Sequence, residues 1–192
     1  MSFIKTLLAI VGAVSVIALV AVAVMFGPSM RSLDGKAGAI YWDMAQTLLE
    51  TGDIAEATIW KRKVADGLTF DDVELSIESV ANDMNIKAVG TLPLGDEVAA
   101  MRGEPWRVLK IYLYCNPLTA AKMIEYSEAF AAYLPCRVTL VEDGEGALWL
   151  YTLNMDMMVH GGRPLPDDLR EEAQRVRDII LAILDKASTG DF

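Results

Sequence analysis

The chain has 192 residues, a formal net charge of −10 and a pI near 4.5, which leaves room for one ordinary domain beside a membrane segment. An acidic chain lacks the basic surface that binds phosphate backbones, so nucleic acid is excluded as a partner. The hydrophobic fraction of 53% and mean hydropathy of +0.30 exceed those of ordinary soluble domains, and the excess lies at the N-terminus.

An uninterrupted apolar segment, residues 7–26, follows a short tail over residues 1–6. Its twenty residues carry no charge, amide or proline, and as a helix they span the roughly 30 Å hydrocarbon core of a bilayer. A cleaved signal peptide is the main alternative, with Lys5 as its basic region and Ala21-Val22-Ala23 as the cleavage motif. Because apolar residues continue after this triplet, a retained transmembrane helix is predicted.

Orientation rests on few charges: the terminal amine and Lys5 precede the segment, and Arg31 and Lys36 follow it. The charges balance, but a very short tail before an apolar helix is typical of a signal anchor. We therefore expect a single-pass protein of the cell inner membrane, with its domain facing the periplasm. The lipid bilayer is its first expected partner.

Residues 27–56 are predicted to form a juxtamembrane joint and helix. Gly27-Pro28-Ser29 predicts a helix break. Leu33 to Glu50 then has apolar residues at helical spacing, which indicates a helix packed on the domain or near the lipid headgroups.

The remaining domain, residues 57–192, begins with a strand over residues 58–64. Thr69 is a helix N-cap candidate, followed by an apolar stripe of Val73, Ile77, Val80 and Met84. A short strand over 86–89, an irregular stretch over 95–103 and a strong strand over 106–114 complete the first half.

The second half predicts a helix over 118–126, a hairpin of strands 137–141 and 147–153, and a final amphipathic helix that opens at Pro166-Asp167-Asp168. This order predicts an α+β sandwich, with a mainly antiparallel sheet and helices packed on one face.

From Val108 to Gly162 the chain resembles the domain of unknown function 302 family. The resemblance rests on four segments: Cys115-Asn116-Pro117, Leu134-Pro135-Cys136-Arg137, Val141-Glu142-Asp143 and Trp149-Leu150-Tyr151. Residues 71–89 also fit. The resemblance implies a small α+β fold that often pairs into dimers and has no assigned reaction. Family members commonly have glycine before the Asn-Pro and an aliphatic residue between the Pro and the Arg, so both cysteines are departures.

The segment 155–160 concentrates soft ligand atoms in Met155, Met157, Met158 and His160. Thioethers with an imidazole suit copper(I) or an axial haem position, and in an extended segment Met158 and His160 would share a face. The alternative is a structural histidine among core methionines.

Gly161-Gly162-Arg163 is a flexible turn whose amides and guanidinium would suit an anion, together with Arg137. The alternative is that each arginine pairs with one of the 27 acidic residues.

Cys115 and Cys136 lie at the end of one predicted strand and the start of the next. If those strands are antiparallel, both thiols lie at one end of the sheet, where a disulfide would fit a Cα separation below about 7 Å. Two buried thiols, or a reactive or metal-bound pair, are the alternatives.

No nucleophile elbow, His-x-x-x-His pair or glycine-rich phosphate loop occurs, so no catalytic residue is predicted. The sequence favours a membrane-tethered, non-catalytic binding or accessory module, with a homodimer or a membrane or respiratory assembly as partner. The first alternative is a periplasmic metal or haem redox protein that uses His160 and its neighbouring methionines. The second is an enzyme of unknown reaction.

Overall fold

The computed structural model describes residues 2–191. Met1, which begins the predicted tail, and Phe192, which ends the predicted domain, lie outside the described residues. The first helix, α1 (Ser2–Arg31), has an apolar span, Phe3–Arg31, with a mean hydropathy of 3.0 and no buried share. Within residues 2–191 it is the one helix long and apolar enough to cross a membrane. The predicted break at Gly27-Pro28-Ser29 is wrong. Pro28 lies in the last turn, where it removes one N–H donor while the helix continues to Arg31.

Two helices follow α1: α2 (Ala37–Thr51) and α3 (Ile54–Ala57). The predicted helix over 33–50 is confirmed, but it begins later because Asp34 forms a turn and accepts the Lys36 N–H at 2.9 Å. It ends at Gly52, whose φ of 68° is a left-handed conformation that glycine adopts without strain.

The sheet has five strands in the order β1-β5-β4-β3-β2, and every neighbouring pair is antiparallel. The strands are β1 (Ile59–Lys63), β2 (Lys87–Leu92), β3 (Leu109–Cys115), β4 (Cys136–Glu142) and β5 (Leu148–Leu153). The predicted strands and the β4-β5 hairpin are thus confirmed within a few residues. The predicted α+β class with an antiparallel sheet is confirmed too.

Two long helices, α4 (Phe70–Asp83) and α8 (Asp167–Thr189), pack on one face of the sheet and on each other. Thr69 caps α4 with a capping box, in which its hydroxyl accepts the Asp72 N–H and Asp72 accepts the Thr69 N–H. The core between these helices and the sheet is fully buried at Val73, Ile77, Val138, Leu140, Leu150, Ile180, Ile183 and Leu184. The predicted stripe is buried except at Met84, which lies past the end of α4.

The stretch over 95–103, predicted to be irregular, is instead helix α5 (Leu94–Arg102). Asp96 and Glu97 in its first turn and a left-handed Gly103 at its end are the usual helix-terminus residues. Gly95 is required by close packing, since an added Cβ would lie 2.8 Å from the Arg107 carbonyl oxygen and the Leu109 nitrogen.

Between β3 and β4 lie α6 (Pro117–Tyr126) and a 3-10 helix (Glu128–Tyr133), and α7 (Asp156–His160) follows β5. Asn116 caps α6 by accepting the N–H groups of Leu118 and Thr119. The expectation of an extended segment over 155–160 is wrong, because the chain turns into α7 directly after β5. On a helix, residues two apart point to different sides, so Met158 and His160 share no face.

Candidate functional site

His160 on α7 is buried, and its ring forms hydrogen bonds with Asp34 in the turn after α1 and with Gln174 on α8. Its side chain is 4% exposed, and Nδ1 donates to Asp34 Oδ2 at 3.1 Å. On the other side of the ring, Gln174 Nε2 lies 3.3 Å from Nε2, so the Nδ1–H tautomer satisfies both nitrogens. A hydrogen bond from the Lys36 N–H and the one from His160 together lower the pKa of Asp34. The geometry is that of a satisfied structural histidine, and the metal or haem role predicted for His160 stays an untested prediction.

Five sulfur side chains line one small apolar cavity, which we call the sulfur cavity: Cys115, Met123, Cys136, Met155 and Met158. The cavity has a volume of about 20 Å³, enough for one water-sized body. It lies where β3 ends and β4 begins, beside α6 and α8. Both cysteines carry free thiols.

The antiparallel pairing of β3 and β4 brings the two cysteines to the same end of the sheet. Tyr114 is the direct partner of Cys136, so Cys115 is one residue further along. Burial raises the pKa of the Cys115 thiol, and burial together with the nearby Cys115 raises the pKa of Cys136 to about 11. Both groups are therefore neutral thiols near pH 7, and neither has the low pKa of a reactive cysteine.

A larger cleft, which we call the aromatic cleft, adjoins the sulfur cavity, and Met158 lines both. Its volume is about 270 Å³, and its walls carry four aromatic rings: Tyr41, Tyr126, Phe130 and Tyr133. The turn Gly161-Gly162-Arg163 and Met157 form another side. Arg163 is the one charged residue among the described residues that line the cleft.

Two hydrogen bonds attach this turn to the segment after α1. Tyr41 Oη donates to the Gly161 carbonyl at 2.6 Å, and the Asp34 N–H donates to the Gly162 carbonyl at 2.8 Å. The Gly161 N–H donates to the Met157 carbonyl. That amide is therefore occupied, and the Arg163 guanidinium is the charged donor of this turn.

The structure brings together only part of the predicted anion site. Arg163, Gly161 and Gly162 lie in the aromatic cleft, whereas Arg137 is exposed on β4 and is absent from the lining of the cleft. No ion pair of Arg163 occurs among residues 2–191, so pairing with an acidic side chain does not account for it there.

The structure also separates the methionine and histidine side chains that the sequence analysis grouped as soft metal ligands. Met155 and Met158 reach the sulfur cavity, Met157 lines the aromatic cleft, and His160 lies in its own hydrogen-bonded cluster. Within the described part of the chain, no three His, Cys, Asp or Glu side chains are grouped to hold a metal. Sequence reasoning missed Met123 and the four rings of the cleft. Tyr126, Phe130 and Tyr133, spaced four and three residues apart, were a signal for one aromatic face.

Comparison with known proteins identifies the family. The chain matches the family described as "Domain of unknown function DUF302" over residues 60–187, and it belongs to that family. A comparison with curated proteins found no match.

Among solved structures, the chain is similar to an uncharacterized conserved protein DUF302 from Bacillus stearothermophilus. The two share 16% sequence identity with a TM-score of 0.52, and the alignment covers 67% of this chain and 96% of that one. At this identity the likeness shows the fold. The predicted resemblance to the family is confirmed.

Proposed function

We propose that this protein is a membrane-tethered binding module in which α1 anchors the domain and the aromatic cleft binds a small aromatic or apolar anion. The observation that carries the proposal is the attachment of the cleft to the juxtamembrane segment. Tyr41 from α2 is both a wall of the cleft and a donor to its Gly161-Gly162 turn. A ligand in the cleft would therefore contact the segment that follows the anchor.

The chemistry of the lining supports an anionic ligand with an apolar body. Aromatic walls provide large apolar contact area at low entropic cost, and Arg163 offers a guanidinium that can hold a carboxylate with two hydrogen bonds. Specific small-molecule sites combine mostly apolar walls with a few polar groups in this way. The volume of about 270 Å³ is sufficient for one substituted ring.

The test uses the full-length chain in detergent micelles with 4-fluorophenylacetate as the probe and fluorine NMR line broadening as the readout. Saturable broadening beyond that of empty micelles is expected. The Arg163→Gln variant should weaken binding by about 10- to 100-fold, because a hydrogen bond to a charged group contributes roughly 1.5–3 kcal/mol.

Arg137→Gln is the matched control, since it removes an exposed arginine outside the cleft and should leave the affinity unchanged. The neutral analogue 4-fluorophenylacetamide should bind weakly to the unaltered protein. Equal binding of the acid and the amide, or equal loss in both arginine variants, would contradict an anion site at Arg163.

A further inference from the structure

We propose that a pocket at the β2 edge of the sheet binds a small primary amine in its protonated form. The pocket, which we call the ammonium pocket, lies between the second half of α4 and the β2-β3 pair, and Glu78, Asn82 and Tyr114 carry its main polar groups. It shares no lining residue with the aromatic cleft. The proposal is therefore independent of the anion site at Arg163.

The first argument is a buried hydroxyl group without a partner. Tyr114 is 2% exposed and belongs to the core between the sheet and the helices. Every fully buried side-chain nitrogen or oxygen among residues 2–191 has a hydrogen-bond partner, whereas the Tyr114 hydroxyl has none among these residues. The hydroxyl is therefore not sealed in the core, and it opens into the ammonium pocket that Tyr114 lines. There a phenol oxygen can accept a hydrogen bond from a ligand.

The second argument is the negative charge of the wall. Glu78 is the one charged residue among the described residues that line the pocket, and it has no ion pair within residues 2–191. Glu74, one turn earlier on α4, is engaged, because it accepts from Tyr112 Oη at 3.0 Å and pairs with Lys110. Burial and the charges of Glu78 and Glu74 raise the pKa of Tyr114 to about 12, so its phenol stays neutral. The pocket would therefore repel an anion and attract a cation.

The third argument is the match between acceptors and donors. An ammonium group has three N–H donors, and the pocket offers the Glu78 carboxylate, the Asn82 amide oxygen and the Tyr114 hydroxyl. Glu78 and Asn82 are four residues apart and lie on the same side of α4. The protein already places an ammonium beside a neighbouring ring, since Lys110 Nζ lies 5.6 Å from the centroid of the Tyr112 ring.

The size of the pocket limits the rest of the ligand. Its volume is about 160 Å³, and Ala81, Ile86 and Ala88 give it apolar walls. A cavity of roughly 150 Å³ holds one benzene molecule, so this pocket admits a single ring or a short aliphatic chain beside the ammonium group. The register of β2 shifts between Ala88 and Gly90, and bulges of this kind are frequent next to binding sites.

The experiment uses the full-length chain in uncharged detergent micelles at pH 7, with 4-fluorobenzylammonium as the probe and fluorine NMR line broadening as the readout. Saturable broadening beyond that of empty micelles is expected. The neutral analogue 4-fluorobenzyl alcohol should bind at least about 10-fold more weakly, because it lacks the charge-assisted hydrogen bonds. Glu78→Gln should weaken ammonium binding by about 10-fold, and Tyr114→Phe, which keeps the buried ring, by about 2- to 10-fold.

Two control variants separate this pocket from the rest of the surface. Asp83→Asn removes the same charge from an exposed position of α4 outside the pocket, and Arg163→Gln alters the aromatic cleft. Both should bind the probe like the unaltered protein. Equal losses in Glu78→Gln and Asp83→Asn would assign the binding to general attraction by an acidic surface and overturn the proposal. Equal affinity for the ammonium and the alcohol, unchanged affinity in Tyr114→Phe, or broadening that does not saturate would also overturn it.

Discussion

Asp34 and His160 are joined by a hydrogen bond of 3.1 Å between Oδ2 and Nδ1, across 126 positions of sequence. The bond connects the turn after α1 to the end of α7, and Gln174 extends the connection to α8. The same turn bonds to Gly162 through the Asp34 backbone. The segment that follows α1 is therefore part of the domain rather than a loose linker.

The carboxylate of Asp34 predicts a pH-dependent contribution to stability. Hydrogen bonds from the Lys36 N–H and from His160 lower the pKa of this carboxyl group in the folded protein below its usual range. A group with a lowered folded pKa stabilises the fold above its unfolded pKa, and this stabilisation is lost as pH falls through the folded pKa. Asp34→Ala should therefore lower the free energy of unfolding at pH 7 by about 1–3 kcal/mol, with the difference shrinking below about pH 4.

Chemical denaturation of both proteins in detergent, followed by tryptophan fluorescence from pH 7 to pH 3, measures this difference. Asp66→Ala is the control, because the Asp66 side chain is 94% exposed and its ion pair with Lys63 is a surface pair. A pH-independent cost of Asp34→Ala would mean that packing, and not the carboxylate, accounts for its effect.

Gly161 and Gly162 are predicted to differ sharply although they are neighbours. An added Cβ at Gly161 would overlap the Met157 carbonyl, whereas at Gly162 it would meet nothing within 4 Å. Gly161→Ala should destabilise the fold by about 1–3 kcal/mol through overpacking, and Gly162→Ala should change stability by less than about 0.5 kcal/mol. Thermal unfolding of the two variants side by side checks the difference, and equal stability would show that α7 can shift to accept the methyl group.

The elements with clear periodicity were predictable from sequence, and the site largely was not. Helices α4 and α8 follow from their apolar stripes because one face of each packs on the sheet. Helix α5 was missed because it is short, polar and begins after Pro93. Its acidic first turn and Gly103 were the available signals.

The candidate site depends on contacts between distant parts of the chain, and no local pattern specifies these. Tyr41 and Gly161 are 120 positions apart, yet they form one wall of the aromatic cleft. The two cysteines were correctly placed at one sheet end under the antiparallel alternative. Met123, which joins them in the sulfur cavity, lies on a helix whose packing the sequence does not reveal.

The outer face of α2 is predicted to lie in the lipid headgroup region. Trp42 is 65% exposed and Leu49 is 86% exposed, and their spacing of seven residues places both on one side of the helix. Tryptophan is enriched at membrane–water interfaces, and α2 begins a few residues after the apolar helix ends. In vesicles that contain brominated lipids, Trp42 should supply most of the quenched fluorescence, so Trp42→Phe should lose most of the quenching. Trp106→Phe should retain it, and equal quenching in both variants would place α2 away from the bilayer.

Retention of α1 is predicted by the continuity of its helix. The helix runs without interruption from Ser2 to Arg31 and contains Ala21-Val22-Ala23, the motif at which a signal peptidase would act. A peptidase needs its site in an extended segment beyond the apolar region, whereas this triplet lies inside it. Intact mass measurement of the protein from washed membranes should give the full chain of 21.0 kDa, and alkaline carbonate should leave it in the membrane pellet.

A variant with Ala21 and Ala23 changed to leucine is the control, and its yield and location should match those of the unaltered chain. A soluble product whose N-terminus follows Ala23 would instead identify α1 as a removed signal sequence and leave the domain without a tether.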